Sequence, residues 1–257
     1  MRSHLAVTLL VACLAAPAAA VEVDLVYTGP ADSPALQGLR LGIDESNRQG
    51  EFLDVKLNLS ESSGGSLPAS AIAVFADSPG SIRSIAGKAG ERAVFNLSDG
   101  ADALRAACLP NALHVIPSAK MRADAVAQWV QRNPAGKPSA AAWHGNAVKF
   151  AARDLNKRFA AQFGTRMDDL AWAGWFAARA VGDTLMREPS ADARRLLELL
   201  KQADGFDGQK GDAHSFRDSG QLSQPLVLVG PDGELLGEAP VRGVSTGLDS
   251  LGAFPCK

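Results

Sequence analysis

The chain has 257 residues, 46% of them apolar and 21% charged, with a formal net charge of −2. The apolar share is ample for a hydrophobic core, and the length suits one large or two small domains. The near balance of charge, without a basic stripe, excludes a nucleic-acid partner.

The first twenty residues read as a secretion signal. Arg2 supplies the positive charge, Leu5 to Ala16 is almost unbroken apolar sequence, and Ala18-Ala19-Ala20 is a small-residue cleavage site. The chain is therefore expected in the periplasm from Val21 onward. An alternative is a lipoprotein box, Leu10-Val11-Ala12-Cys13, which would leave a lipid on Cys13. Beyond this segment, Cys108 and Cys256 remain, and in an oxidising compartment such a pair favours a disulfide. For so long a loop the chain-entropy description allows about 4–5 kcal/mol.

Residues 21–131 alternate strand and helix. Glu22 to Tyr27 is a strand, followed by the turn Thr28-Gly29-Pro30 and a helix from Ala35 to Asn47. Asp54 to Leu59 alternates apolar and polar, and Ala71 to Phe75 is a buried type of strand. A helix over Ser81 to Lys88 with Pro79 in its first turn, a strand over Ala93 to Asn96 and a strand over Leu113 to Ile116 follow. Ser118 then caps a helix reaching Gln131. This order predicts a parallel sheet with helices on both faces. Residues 132–142, RNPAGKPSAAA, read as a linker. Residues 143–257 read as helices over His144 to Phe163, Met167 to Arg187 and Ala191 to Ala203, then a C-terminal hairpin of His214 to Arg217 with Pro225 to Val229.

Several stretches resemble one family. They are L-x-G-x-x-L-G-I-D-E-S-N-x-x-G from Leu36 to Gly50, VFNLSDGADALRAACLPNALHVI from Val94 to Ile116, DLAWAGWFAARAVGDTL from Asp169 to Leu185, and FDGQKGDAHSFRDSGQLSQPLVLV from Phe206 to Val229. Together they resemble the type I periplasmic solute-binding proteins. More narrowly, they resemble the ABC-transporter substrate-binding family associated with PQQ-dependent alcohol dehydrogenase systems. The resemblance implies an α/β lobe of the periplasmic-binding-protein-like I kind, a small-molecule or metal-ion ligand, an ABC permease as partner and a link to the dehydrogenase. The β/α core of a second lobe is missing between the two blocks, leaving a reduced, mainly helical segment.

Catalytic patterns are lacking. His114, His144 and His214 are far apart, and there is no G-x-S-x-G, P-loop or G-x-G-x-x-G after a strand. The chain reads as a binder and not an enzyme. In an open parallel sheet, ligands sit beyond the carboxyl ends of the strands. Those ends supply Tyr27, Thr28, Ser60, Glu61, Asp77, Ser78, Asn96, Ser98 and Asp99, joined by His144 at the start of the second block. Hydroxyls there suit an organic solute. Glu61, Asp77 and Asp99 would suit a hard cation, calcium or a lanthanide, although D-S-P-G and S-D-G are also ordinary turn sequences. Trp172, Trp175 and Phe176 have the i, i+3, i+4 spacing of a helix's packed face.

Overall fold

The computed structural model describes residues 20–62, 65–245 and 247–256. The expected secretion signal and Cys13 lie outside the described residues. Five parallel strands form the main sheet: β1 (Val21–Thr28), β2 (Val55–Ser62), β3 (Ala71–Ala76), β4 (Ala93–Asn96) and β5 (Ala112–His114), in the order β2-β1-β3-β4-β5. Side chains alternate across such a sheet with period two, so each strand feeds two cores. Leu25, Tyr27, Phe75 and Phe95 face one core, while Val26, Val74 and Val94 face the other.

Helix α1 (Pro34–Gly50) starts with Ser33 as its cap, whose hydroxyl accepts from the Ala35 N–H (3.1 Å), and with proline at the first position. Helix α2 (Ile82–Ala89) covers the second face with Leu104 of the short α3 (Asp102–Ala106). It begins at Ile82, one residue after the expected Ser81, which takes the cap position, and Pro79 precedes the helix instead of standing in its first turn.

The later helices do not form a separate segment. Helix α5 (Ala152–Phe163), α6 (Asp169–Arg187) and α7 (Ala193–Gln202) pack with α1 on the first core of the main sheet. The approach of α1 to α6 is close enough to need glycine. A Cβ built on Gly38 would lie 1.7 Å from the Ala171 carbonyl oxygen, and one on Gly174 would lie 2.0 Å from the Ala35 carbonyl oxygen. Trp172 and Phe176 are fully buried there, as their spacing predicts.

Helix α4 (Ala119–Arg132), capped by Ser118 as expected (Met121 N–H to Ser118 Oγ, 3.0 Å), belongs to a smaller unit. It packs on a three-stranded sheet, β11-β10-β6. Strand β6 (Ser139–Ala141) forms inside the stretch read as a linker, because its backbone finds partners in β10 (Leu226–Val229). The expected C-terminal hairpin needs correction. Strand β8 (Ala213–Phe216) pairs with β7 (Phe206–Asp207) and β9 (Leu222–Ser223), whereas β10 pairs with β11 (Leu235–Ala239). The two stretches read as one hairpin thus serve different sheets, because the chain crosses from one unit to the other at Gln224, between β9 and β10.

The expected helix from His144 also starts late, at Ala152. Asn156 holds the preceding loop open by donating to the Ala147 carbonyl (3.0 Å) and accepting from Trp143 Nε1 (2.8 Å). The disulfide Cys108–Cys256 is formed and ties the C-terminal tail to the residues after α3.

Candidate solute cleft

Because all five strands of the main sheet are parallel, their carboxyl ends share one edge. The expected site residues on those strands do fall along it, but the structure separates them into three groups. Thr28, Asp77 and Ser78 line an open cleft of about 650 Å³ together with Gly29, Pro30, Pro79 and a stripe of α2. That stripe is Ser81, Ser84, Ile85 and Lys88, at the i, i+3, i+4, i+7 spacing of one helix face. The sequence reading did not include it, although the S-x-x-S-I-x-x-K spacing directly after a strand end is a readable signal.

A second group is spent on the protein itself. The Tyr27 hydroxyl lies 3.0 Å from both Asp77 Oδ2 and the Pro30 carbonyl oxygen, and Ser33 Oγ donates to the same carboxylate oxygen. Burial raises the Tyr27 pKa above its ordinary value, and the Asp77 charge adds to the shift. Asp99 accepts the Gly80 and Ala101 N–H groups (2.8 and 2.9 Å). Asn96 closes its own turn, donating to the Asp99 carbonyl (2.8 Å) and accepting from the Asp99 N–H (2.9 Å). Ser60 Oγ donates to the Leu25 carbonyl (3.0 Å).

The third group lies away from the cleft. Glu61 is half exposed and paired with Arg40 (Nε to Oε1, 3.2 Å). His144 sits in the loop before α5, where its Nδ1 accepts from the Asn146 N–H (3.2 Å). The expected cation set of Glu61, Asp77 and Asp99 is therefore corrected. Each carboxylate has its own protein partner, and among the described residues no group of three acidic, histidine or cysteine side chains stands where it could hold one metal ion. The residues present do not fit calcium or a lanthanide, ions that need several oxygen ligands around one centre.

A second, narrower slot of about 30 Å³ lies between the units, lined by Trp143, Phe150, Lys210, Val227 and Glu238 among others. It holds little more than one or two waters, so the open cleft is the better place for a solute. Lys210 instead has a structural role. Its Nζ lies 3.7 Å from the centre of the Trp172 ring and donates to Gln224 Oε1 (2.6 Å) and the Pro225 carbonyl (3.2 Å). Burial pushes its pKa well below the usual lysine value, with Asp169 pulling the other way.

Beneath the strand ends runs a buried polar network that the sequence did not announce. Arg105 is fully buried and donates to Gln221 Oε1 (2.7 Å) and the Ile116 carbonyl (2.7 Å). Burial brings its guanidinium down to about 10, still cationic at neutral pH, with Asp99 and Asp102 opposing the shift. His114 and His214 are both fully buried. Burial holds each at about 3, helped by the charge of Arg105 at His114 and of Lys210 at His214.

The fold is that of the type I periplasmic binding proteins. An ABC-transporter substrate-binding protein from Desulfitobacterium hafniense superposes with a TM-score of 0.73 at 14% identity, over 84% of this chain and 99% of its own. A branched-chain amino acid ABC-transporter periplasmic ligand-binding protein from Burkholderia xenovorans gives 0.68 at 12% identity, over 90% and 96%. The leucine-binding protein LivK of Thermotoga maritima gives 0.65 at 11%, over 85% and 98%. No protein-family model matches the chain. No curated protein matches its sequence. Among the described residues no helix is long and apolar enough to cross a membrane.

Proposed function

We propose that this chain is the substrate-binding component of an ABC-type uptake system, working in the periplasm and capturing a small organic solute without chemistry. One observation carries the reading: the polar cleft at the carboxyl ends of β1 and β3, in a fold shared with solute-binding proteins. Hydroxyls of Thr28, Ser78, Ser81 and Ser84, the Asp77 carboxylate and the Lys88 amine line it, a set suited to a small polar solute. The permease is the expected partner. The link to PQQ-dependent alcohol oxidation rests on the resemblance of residues 94–116, 169–185 and 206–229 and belongs to the same proposal.

Thermal unfolding with a panel of amino acids, hydroxy acids and short alcohols tests it. A ligand at about 100 times its Kd stabilises by about 2.7 kcal/mol. The expected result is a rise in Tm with one organic solute, abolished by Ser78→Trp or Lys88→Glu. A panel without effect, or a shift that survives both substitutions, would count against the cleft.

A second reading, an accessory protein that binds a periplasmic partner such as the dehydrogenase, is favoured by one surface. Val148 (55% exposed), Phe150 (64%) and Leu235 (38%) present apolar side chains around the loop before α5 and strand β11. Scattered apolar side chains are common on surfaces, and a cluster is what marks an interaction face. Phe150→Ser with Leu235→Ser would abolish co-elution with the dehydrogenase on this reading and leave solute binding intact.

A further inference from the structure

The chain passes between the sheet unit and the smaller unit three times: at Pro117 between β5 and α4, at Ala142 between β6 and Trp143, and at Gln224 between β9 and β10. A fourth connection is made by the C-terminal tail. On the sheet side, Cys256 is bonded to Cys108. There, too, Arg217 spends its guanidinium on the tail carbonyls of Leu248 (2.6 Å), Leu251 (2.7 Å) and Gly252 (3.2 Å). On the side of the smaller unit, the Gly252 N–H donates to Asp124 Oδ2 (2.8 Å) and Gln128 Nε2 donates to Ser250 Oγ (3.1 Å), both residues of α4. Leu251 is fully buried in the core that α4 makes with the small sheet, beside Met121, Leu226 and Leu228. Gly252 has φ +61°, and a Cβ there would meet Met121 Cγ at 2.3 Å, so the tail lies flush on the helix.

We propose that residues 248–256 are a strap, with the disulfide as its clasp, that fixes the angle between the two units. Two-domain binders of this kind of architecture capture ligands through hinge motion. Here the strap spans the hinge and is anchored on both sides, so the units keep one arrangement, whereas the solute cleft is lined by the sheet unit alone. The Arg122–Asp169 ion pair (2.6 Å) between α4 and α6 supports the same arrangement from the opposite direction.

The test is amide hydrogen exchange on the full oxidised chain and on Cys108→Ser/Cys256→Ser, without ligand, so that its outcome is independent of the solute reading. Two amides report the contact between units: Ala119, which donates to the Gly100 carbonyl (2.8 Å), and Lys120, which donates to Asp102 Oδ1 (2.9 Å). Freed of the clasp, both should exchange about tenfold faster while amides of β1 and β3 keep their rates, the signature of a local opening. Asp124→Ala, which keeps the disulfide but removes the anchor on α4, should act in the same direction and decides the matter if the double variant does not fold. Faster exchange confined to residues 248–256, or an equal acceleration in β1 and β3, overturns the proposal.

Discussion

At the scale of single residues, two buried histidines set the response to acid. His114 Nδ1 lies 3.0 Å from Asn96 Nδ2, and His214 Nδ1 lies 2.7 Å from the Asp212 carbonyl oxygen; neither Nε2 has a hydrogen-bond partner among the described residues. Both are held at about 3 in the folded chain, against about 6.5 in an unfolded one. Below pH 6.5 the unfolded state therefore binds more protons than the folded state, and stability falls as pH falls from there toward 3. At pH 5 the loss is about 2 kcal/mol for each histidine. Urea titrations between pH 7 and 5 should show this slope, and His114→Gln or His214→Gln should each remove about half of it. A flat profile in the parent chain would show that these imidazoles are not buried in their neutral form.

The residues at the strand ends show how chemistry is diverted into structure. Tyr27→Phe removes a hydroxyl that faces Asp77 and should lower stability by about 1–2 kcal/mol. The Tm should fall correspondingly, with no change in solute affinity if Thr28, Ser78 and Lys88 form the site. Lanthanum chloride should leave Tm unchanged, because Glu61, Asp77 and Asp99 are each committed elsewhere. A lanthanide-selective rise would restore the metal reading. Residue type placed these side chains at the right edge of the sheet. Which of them faced open space depended on the turns Asp99 and Asn96 close and on the hydroxyls of Tyr27 and Ser33, and spacing does not encode that.

At the scale of elements, the crossing of α1 and α6 is the most demanding contact. Gly38 and Gly174 each touch the partner helix's backbone, and Gly182 lies against the Ser46 side chain, where a Cβ would stand 2.4 Å from its Oγ. Gly38→Ala should therefore force the helices apart, a form of overpacking that costs about 1–3 kcal/mol or more. By contrast, Gly87→Ala in α2, where nothing lies within 4 Å of the added carbon, should be neutral or slightly stabilising. Comparing the two urea midpoints checks the argument, since equal effects would mean the helices are not in contact. The apolar spacing of α6 was legible as a packed face. Its partner was not, because helical periodicity says that a face is buried without saying against what. The strands from Phe206 to Val229 fared likewise. The turn glycines made β8 and β10 readable as strands but not the two-residue β7 and β9, and the division between two sheets follows from pairing over long distances along the chain.

For the whole molecule, the disulfide spans 148 positions of sequence. Replacing both cysteines by serine should lower the stability of the oxidised chain by about 2–4 kcal/mol. Calorimetry of the two forms measures this, and an unchanged Tm would mean that the unfolded chain gains little freedom on losing the bond. The sequence by itself determined the α/β class, the alternation that builds the parallel sheet, the edge along which the polar strand-end side chains lie and the pairing of Cys108 with Cys256. These follow from local periodicity, from turn chemistry and from there being one candidate pair. Only the tertiary structure decided that the later helices cover the main sheet, that residues 139–141 join a second sheet and that the cleft takes in Lys88 but not Glu61 or Asp99. Each of those outcomes is a contact between distant segments, settled by which surfaces fit and which polar groups find partners, and a single sequence states neither.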